Sequence, residues 1–516
     1  MNASAIKSAI WRNVGSNYLR TGVRLLTGLL TFRLLFQSLE TEVFGFWALL
    51  WSLFGYGVLL DFGLGFTVLK KTADYSATGE SAALSRLLST VLAFYLACGA
   101  VILLAGIGAS PWLVSVFKVS PENRELFTQL TRWFFAGVAC SLPTCLFSEV
   151  LKGLNKIHLA NNTAMFFAIV NLALVVTATQ LGWGLETIFL GSLACILLPN
   201  FVNGWLARRD LPEVRVSPRL ISLRALRDVA GFSVCSFGST ISNLVRNRTD
   251  LVVVSTTLGV TSAAAYQAGA KIGEMFGLFT SQIADVLSPA AAHLRVGGQR
   301  GDLRALLLQS TRLVVLVSLP LLCLMVFQVE DLIRILTGLE SVSPATLLSG
   351  VLILLWVFVI AASQSAFKGI YFVCGRERGI TRLNMAEAAL NLALSILLIW
   401  IFPSIVAVAA ASLVSALYIA VRHLWPMAAA ETGLSLHRFT WEVFSRPGAI
   451  CLVLIAWLIA CRAVPNDAPA LLRVTVQSFV GLALIAPLIW FHGLNAAERR
   501  HLRRMTGRRR FTPALT

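Results

Sequence analysis

Polar side chains inside long apolar stretches are the residues of this chain that could do chemistry. Ionisable groups are costly in a bilayer and face a water-filled cavity or one another. In three apolar stretches such groups recur every three or four residues, which places them on one helix face at about 100° per residue. We call these faces the polar stripes. Candidates for binding a solute are Arg20, Arg24, Asn243, Arg246, Asn247, Gln267 and Lys271, and candidates for ion coupling are Asp61, Asp250 and Glu274.

The segment 260–290 separates two faces most clearly. Gly269, Gly273 and Gly277 recur at four-residue intervals, so a neighbouring helix can approach closely on that side. The opposite side carries polar residues, namely Gln267, Lys271, Glu274, Gln282 and Asp285. This pattern predicts a helix with one packed face and one face towards an aqueous vestibule.

The charges of the stripes indicate the sign of the solute. Near the predicted middle of the membrane, cations outnumber acids: Arg20, Arg24, Arg246 and Lys271 against Asp250 and Glu274. Excess positive charge in a cavity favours an anionic solute. The alternative is that these groups only join helices, because Arg246 with Asp250 and Lys271 with Glu274 have the spacing of neutralising pairs. Glu387 could pair with Arg382 or take part in ion coupling.

The composition requires lipid as the solvent. The chain is 57% hydrophobic and 13% charged, with a mean hydropathy of +0.77, whereas soluble proteins are about 45–50% apolar and about 25% charged. The net charge of +18 would suit nucleic acid, but the basic residues concentrate in alternate loops, so we expect no nucleic-acid partner. The cysteines lie mostly in apolar stretches without metal-ligand spacing, so we expect no metal and no cofactor.

Apolar stretches of about 20 residues predict an all-α polytopic membrane protein with about fourteen transmembrane helices. The predicted spans are 12–39, 42–66, 84–108, 127–152, 159–181, 185–207, 228–257, 260–290, 310–329, 346–374, 384–402, 404–424, 446–463 and 471–492.

An internal repeat divides these spans. Asn171 to Val176 reads NLALVV, and Asn391 to Ile396, about 220 residues later, reads NLALSI. We therefore predict two repeated six-helix lobes, which in a membrane protein commonly surround a solute path. The domains are a first lobe at 1–207, a basic cytoplasmic linker at 208–227, a second lobe at 228–427, two additional helices within 428–492 and a basic cytoplasmic tail at 493–516.

The loop charges predict the orientation. The segment 208–227, the tail 493–516 and the other loops that follow even-numbered spans are rich in arginine and lysine. The positive-inside rule therefore places both termini in the cytoplasm.

Several segments resemble the polysaccharide flippases of the multidrug/oligosaccharidyl-lipid/polysaccharide exporter superfamily. They are Arg33 with 44–49 (FGFWAL) and 60–65 (LDFGLG), and in the second half 250–254 (DLVVV), 258–259 (LG), 265–268 (AYQA) and 286–289 (VLSP). The resemblance implies a two-lobed, alternating-access transporter that flips an oligosaccharide linked to polyprenyl diphosphate across a bacterial cytoplasmic membrane for surface polysaccharide export. The diphosphate would bind the cationic stripes. Membrane lipids and a polysaccharide polymerase or other export machinery would be further partners.

Two other functions remain open. A cation-coupled multidrug or metabolite antiporter of the same superfamily would need an excess of acids in its cavity. A membrane glycosyltransferase or polymerase would need catalytic groups on a sizeable external loop, and the predicted outward loops at 109–126 and 330–345 are short. We therefore expect a transporter without catalytic residues rather than an enzyme.

Overall fold

Helices make up every regular element in the part of the chain that this computed structural model describes. The described residues are 3–55, 57, 61–296, 300–373, 377–463, 468–495 and 499. Within them, the description leaves out the side chains of 3–11, 14, 66, 77, 223, 225–240, 243, 282–296, 300–306, 364–373 and 377–378. The α-helices are α1 (Ala3–Ser38), α2 (Thr41–Phe54), α3 (Leu64–Thr78), α4 (Ser81–Val116), α5 (Arg124–Gly153), α6 (Ile157–Gln180), α7 (Leu185–Asp210), α8 (Leu223–Leu258), α9 (Val260–Val296), α10 (Arg300–Phe327), α11 (Val329–Thr337), α12 (Pro344–Val373), α13 (Glu377–Ile401), α14 (Ile405–Ile419), α15 (Trp425–Thr432), α16 (Leu436–Ala463) and α17 (Ala470–Leu488).

The lengths of these helices confirm an all-α, multi-pass membrane protein. Among the described residues, 10 helices are long and apolar enough to cross a bilayer. Three further predicted spans lie in α1, α8 and α9, which are 36, 36 and 37 residues long and carry the polar stripes. The number of fourteen spans stays a prediction.

The second predicted span, 42–66, is not one continuous helix. α2 ends at Phe54 and α3 begins at Leu64. Just before α3, Phe62 and Gly63 have φ angles of 51° and 74°. The left-handed region cannot continue a right-handed α-helix, so the chain changes direction there. Nothing in the hydropathy of this stretch marks the interruption.

The first of two compact units comprises Met1–Ala268, Leu336–Gly338 and Asn384–Val408. Within it, α4 packs on α5, α1 on α6, and α7 on both α5 and α6. Its core contains Phe46 stacked on Phe127, with ring centroids 3.9 Å apart. α2 meets the start of α9 so closely that a Cβ added at Gly45 would lie 1.8 Å from the carbonyl oxygen of Val260.

The segment between α7 and α8 is held against α4 in the same unit. The backbone N–H groups of Arg215 and Ser217 donate to the hydroxyls of Ser85 and Ser89, both at 3.1 Å. Since the two serines lie one helical turn apart on α4, the basic linker follows this helix rather than extending away from it.

The second compact unit comprises Gly269–Ile335, Leu339–Leu383 and Ala409–Thr516. α10 packs on α12 and α16, and α16 packs on α17 around buried apolar side chains such as Leu454 and Ile485. The glycine face of α9 packs on α12, because Cβ atoms added at Gly269 and Gly273 would lie 3.1 Å from Gly350 and 2.4 Å from Ile353. This confirms the predicted packing face of α9.

Replacing Gly45 tests the close approach of α2 and α9. The Gly45→Ala variant should lose about 1–3 kcal/mol of stability, because its new methyl group meets backbone rather than a movable side chain. Gly108→Ala in α4 is the matched control, since no heavy atom lies within 4 Å of an added Cβ there, and alanine favours a helix by up to about 1 kcal/mol. Denaturant unfolding in detergent measures both. Equal stability of the two variants would contradict this packing.

Candidate functional site

The polar stripe of α1 faces α6 over part of its length. A guanidinium nitrogen of Arg20 donates to the side-chain oxygen of Asn161 at 3.1 Å, and the amide nitrogen of Asn161 donates to Asn17 at 2.6 Å. Nearer the start of α1, the buried Asn13 donates to the side-chain oxygen of Asn155 at 2.9 Å. These bonds join α1 to α6 and to the residue two positions before it, as the helix-joining alternative expects.

Arg20 also has charged neighbours. Arg20 interacts electrostatically with Arg24 on its own helix and with Glu149 on α5. Glu149 is itself paired with Lys152, at 2.6 Å. Arg24 follows Arg20 by one turn and is exposed. Arg20 and Arg24 thus place two guanidinium groups near the middle of the 36-residue α1.

Asp61 lies where the chain enters α3. Its carboxylate accepts the backbone N–H of Gly65 at 3.0 Å and the hydroxyl of the fully buried Tyr95. The first bond satisfies one of the donors that the first turn of a helix leaves without a partner. The acid predicted for ion coupling thus stabilises the start of α3 and binds a tyrosine of α4.

Arg246, predicted to bind a solute, lies in a buried ion pair. Its guanidinium lies 3.2 Å from a carboxylate oxygen of Glu387, and the two side chains are only 5% and 0% exposed. This pair joins α8 to α13 within the first unit. Glu387 thus pairs with Arg246, which is matched by an acid that the charge count did not include.

Asp250 lies one turn after Arg246 on α8. Its carboxylate accepts the hydroxyl of Tyr266 at 2.9 Å, and both residues are buried. One turn after Glu387, the buried Asn391 accepts a hydrogen bond from Ser395 at 3.1 Å. These residues form a buried polar cluster that contains one arginine and two acids. Because the acids outnumber the arginine, these residues do not add positive charge to a cavity.

Lys271 and Glu274 pair with one another. The ammonium lies 2.9 Å from the carboxylate, and the side chains are 18% and 41% exposed.

The other predicted residues of the stripes differ in exposure. Gln267 is half-buried and Asn247 is exposed. The side chains of Asn243, Gln282 and Asp285 lie outside the described residues. Of the predicted solute-binding residues that are described, Arg20 and Arg24 form the adjacent cationic pair.

Sequence reasoning did not identify Glu387, Tyr95 and Tyr266 as partners of the predicted site residues. Helical spacing relates residues within one helix, whereas Arg246 and Glu387 are 141 residues apart. The sequence did show that Glu387 is an acid in an apolar span, and such an acid needs a partner. The spacing along one helix does not identify a partner on another helix. Among the described residues, no group of three or more histidines, cysteines and acids could hold a metal ion.

The sequence matches the model of a known family. The model of a family described as polysaccharide biosynthesis protein matches residues 34–342, which is more than half of the chain. No curated protein matches the sequence.

Several solved membrane proteins share the fold. The inward closed lipid II flippase MurJ matches with a TM-score of 0.71 and 12% identity over 92% of this chain and 97% of its own. An inward-facing multidrug resistance MATE transporter of the MOP superfamily matches at 0.62, with 16% identity over 80% and 96% of the two chains. A mutant of the Vibrio cholerae MATE transporter VcmN matches at 0.55, with 14% identity over 83% and 97%. These matches confirm the resemblance to the exporter superfamily at the level of fold.

Removing one member of the buried ion pair should be strongly destabilising. The Glu387→Ala variant should lose about 3–5 kcal/mol, because Arg246 keeps a buried charge without its acid. The double variant Arg246→Met with Glu387→Leu should recover most of that loss. Denaturant unfolding in detergent measures the full mutant cycle.

The exposed pair Arg438–Glu442, at 3.3 Å, supplies the control. Glu442→Ala should cost at most about 1 kcal/mol, because water screens exposed ion pairs. If Glu387→Ala and Glu442→Ala lose the same stability, the buried pair does not hold α8 to α13 in the way described.

Proposed function

The chain belongs to the polysaccharide biosynthesis protein family, and from this we propose that it flips a lipid-linked oligosaccharide across a bacterial cytoplasmic membrane. The cargo is an oligosaccharide on polyprenyl diphosphate, and the product on the outer leaflet supplies surface polysaccharide assembly. A polysaccharide polymerase or other export machinery would receive it. The proposal places both termini in the cytoplasm and uses two repeated lobes in alternating access.

The fold supports a transport role. One protein that shares it is by name a flippase of lipid II, and others are multidrug transporters. A lipid carrier has a polar head that must cross the bilayer and a tail that stays in lipid. A transporter for it needs polar groups at bilayer depth, and the stripes of α1, α8 and α9 are such groups.

The adjacent arginines of α1 carry the proposal. A diphosphate presents anionic oxygens, and guanidinium groups bind such oxygens through paired, charge-assisted hydrogen bonds. The described hydrogen bond of Arg20 goes to the neutral Asn161 and not to a carboxylate. The carboxylate that attracts Arg20, Glu149, is paired with Lys152. We propose that Arg20 and Arg24 contact the anionic head group, because they lie one turn apart on the same face of α1.

The remaining polar residues have supporting roles in this mechanism. Arg246 with Glu387 joins α8 to α13 one turn before Asp250. Protonation or cation binding at Asp61, Asp250 or Glu274 would change their hydrogen bonds and could drive the alternation, so these acids stay the candidates for ion coupling. No catalytic residue is assigned.

A cation-coupled multidrug or metabolite antiporter is the second candidate. The fold shared with MATE transporters favours it, as do the two acids of the buried cluster. Such a protein would export a small cation and would not need Arg24. Export of a cationic dye, together with export of polysaccharide, therefore distinguishes the two functions.

Neutralising Arg24 tests the flippase. The Arg24→Gln variant should restore surface polysaccharide to a flippase-deficient strain at least about tenfold less well than the original chain, because one charge-assisted contact contributes about 1.5–3 kcal/mol. Arg33→Gln is the matched control, since Arg33 is an exposed arginine of the same helix on the opposite face.

Protein levels in the membrane must be equal for this comparison. Wild-type export by Arg24→Gln, or equal losses in both variants, would count against a diphosphate site on α1. The antiporter would be favoured by two results together. The Arg24→Gln variant would still export the dye, and neither this variant nor the original chain would restore polysaccharide.

A further inference from the structure

A groove lies between α16 and α17, at the end where α17 finishes. It has a volume of about 730 Å³ and belongs entirely to the second compact unit. Its lining combines basic, polar and apolar side chains and includes Arg446, Ile450, Phe491, His492, Asn495 and Arg499. No residue of the proposed transport site contributes to it.

The end of α17 shapes this groove. The helix continues into a π-helical turn, Ile489–Gly493, which widens its last turn. Gly493 is buried, and a Cβ there would lie 2.9 Å from Leu316 of α10. The backbone then becomes extended at Leu494, with φ −94° and ψ 139°. Asn495 is thereby placed against α16, where its side-chain oxygen accepts a guanidinium N–H of Arg446 at 3.0 Å.

The rim of the groove, formed by Arg446, His492 and Arg499, is basic. Arg446 uses one donor for Asn495, and a guanidinium has five. The Nε atom of Arg499 is buried and has no hydrogen-bond partner among the described residues. No acid is among the described residues that line the groove. A buried donor without an acceptor is unfavourable, so the rim is suited to an anion.

Most of the other lining residues, which we call the walls, are apolar. The walls are formed by Ile450, Val453, Leu488, Phe491 and Leu494. A free inorganic anion would leave the apolar walls uncovered. A neutral lipid would leave the remaining guanidinium N–H groups of the rim without an acceptor. A molecule with a phosphate next to an acyl chain satisfies both.

We infer that this groove binds an anionic phospholipid of the surrounding membrane. Its phosphate accepts N–H groups of Arg446 and Arg499 at the rim, and one acyl chain lies against the walls between α16 and α17. Basic pockets between transmembrane helices are suited to anionic head groups. The site is separate from the proposed transport function and does not depend on it.

The test measures thermal stability of the full chain in detergent with three additives. Phosphatidylglycerol should raise the melting temperature, whereas phosphatidylcholine with the same acyl chains and inorganic phosphate should not. Arg446→Gln and Arg499→Gln should each raise the half-saturating phosphatidylglycerol concentration about fivefold, because one basic residue near an anionic lipid contributes about 1 kcal/mol. Arg438→Gln, an exposed arginine of α16 outside the groove, should respond like the original chain.

Each alternative result overturns the inference. Equal stabilisation by inorganic phosphate indicates a site for any anion, and equal stabilisation by phosphatidylcholine indicates an apolar groove without head-group selection. An unchanged response of both rim variants places the lipid elsewhere. If a rim variant does not fold, native mass spectrometry of the original chain still decides, because bound phosphatidylglycerol should outnumber phosphatidylcholine after purification from an equal mixture.

Discussion

The structure depends on one constraint, the cost of an ionisable group at bilayer depth. Arg246 and Glu387 meet it by pairing with one another almost completely out of solvent. Such a pair adds little net stability, but it is strongly destabilising to break, so it fixes which residues of two helices face one another. Arg20 instead has a neutral amide as its hydrogen-bond partner, Asn161. We propose that an anionic ligand approaches this part of α1.

This difference is the basis on which we propose that Arg20 and Arg24, rather than Arg246, contact the cargo. Charged groups matched by acids, as in Arg246–Glu387 and Lys271–Glu274, have much of their electrostatic energy satisfied within the protein. Arg24 is exposed, and we propose that it makes reversible contacts with phosphate oxygens of the cargo. A flippase needs such exchangeable contacts because its cargo must leave, and tight internal pairs serve only to keep the helices in register.

The sequence predicted the helices well, since a bilayer-spanning helix must satisfy its backbone internally and therefore appears as an apolar stretch. It also predicted that the glycine face of α9 would pack, although not that Gly350 of α12 would be among the residues opposite it. The interruption at Phe62 and Gly63 was missed because backbone direction there is set by local φ angles rather than hydropathy. The Lys271–Glu274 pair follows from helical spacing, but the acid beside Arg246 was missed because Glu387 lies on a distant helix, α13.

The most direct test of this account is the water exposure of the α1 arginines in the membrane. In a chain whose nine native cysteines are replaced, a cysteine introduced at Arg24 should react with a membrane-impermeant thiol reagent, and polyprenyl diphosphate should slow that reaction. A cysteine at the buried Asn391 should stay unreactive. The account is contradicted if position 24 is as unreactive as position 391 from both sides of the membrane, because those arginines would then have no access to a polar cargo.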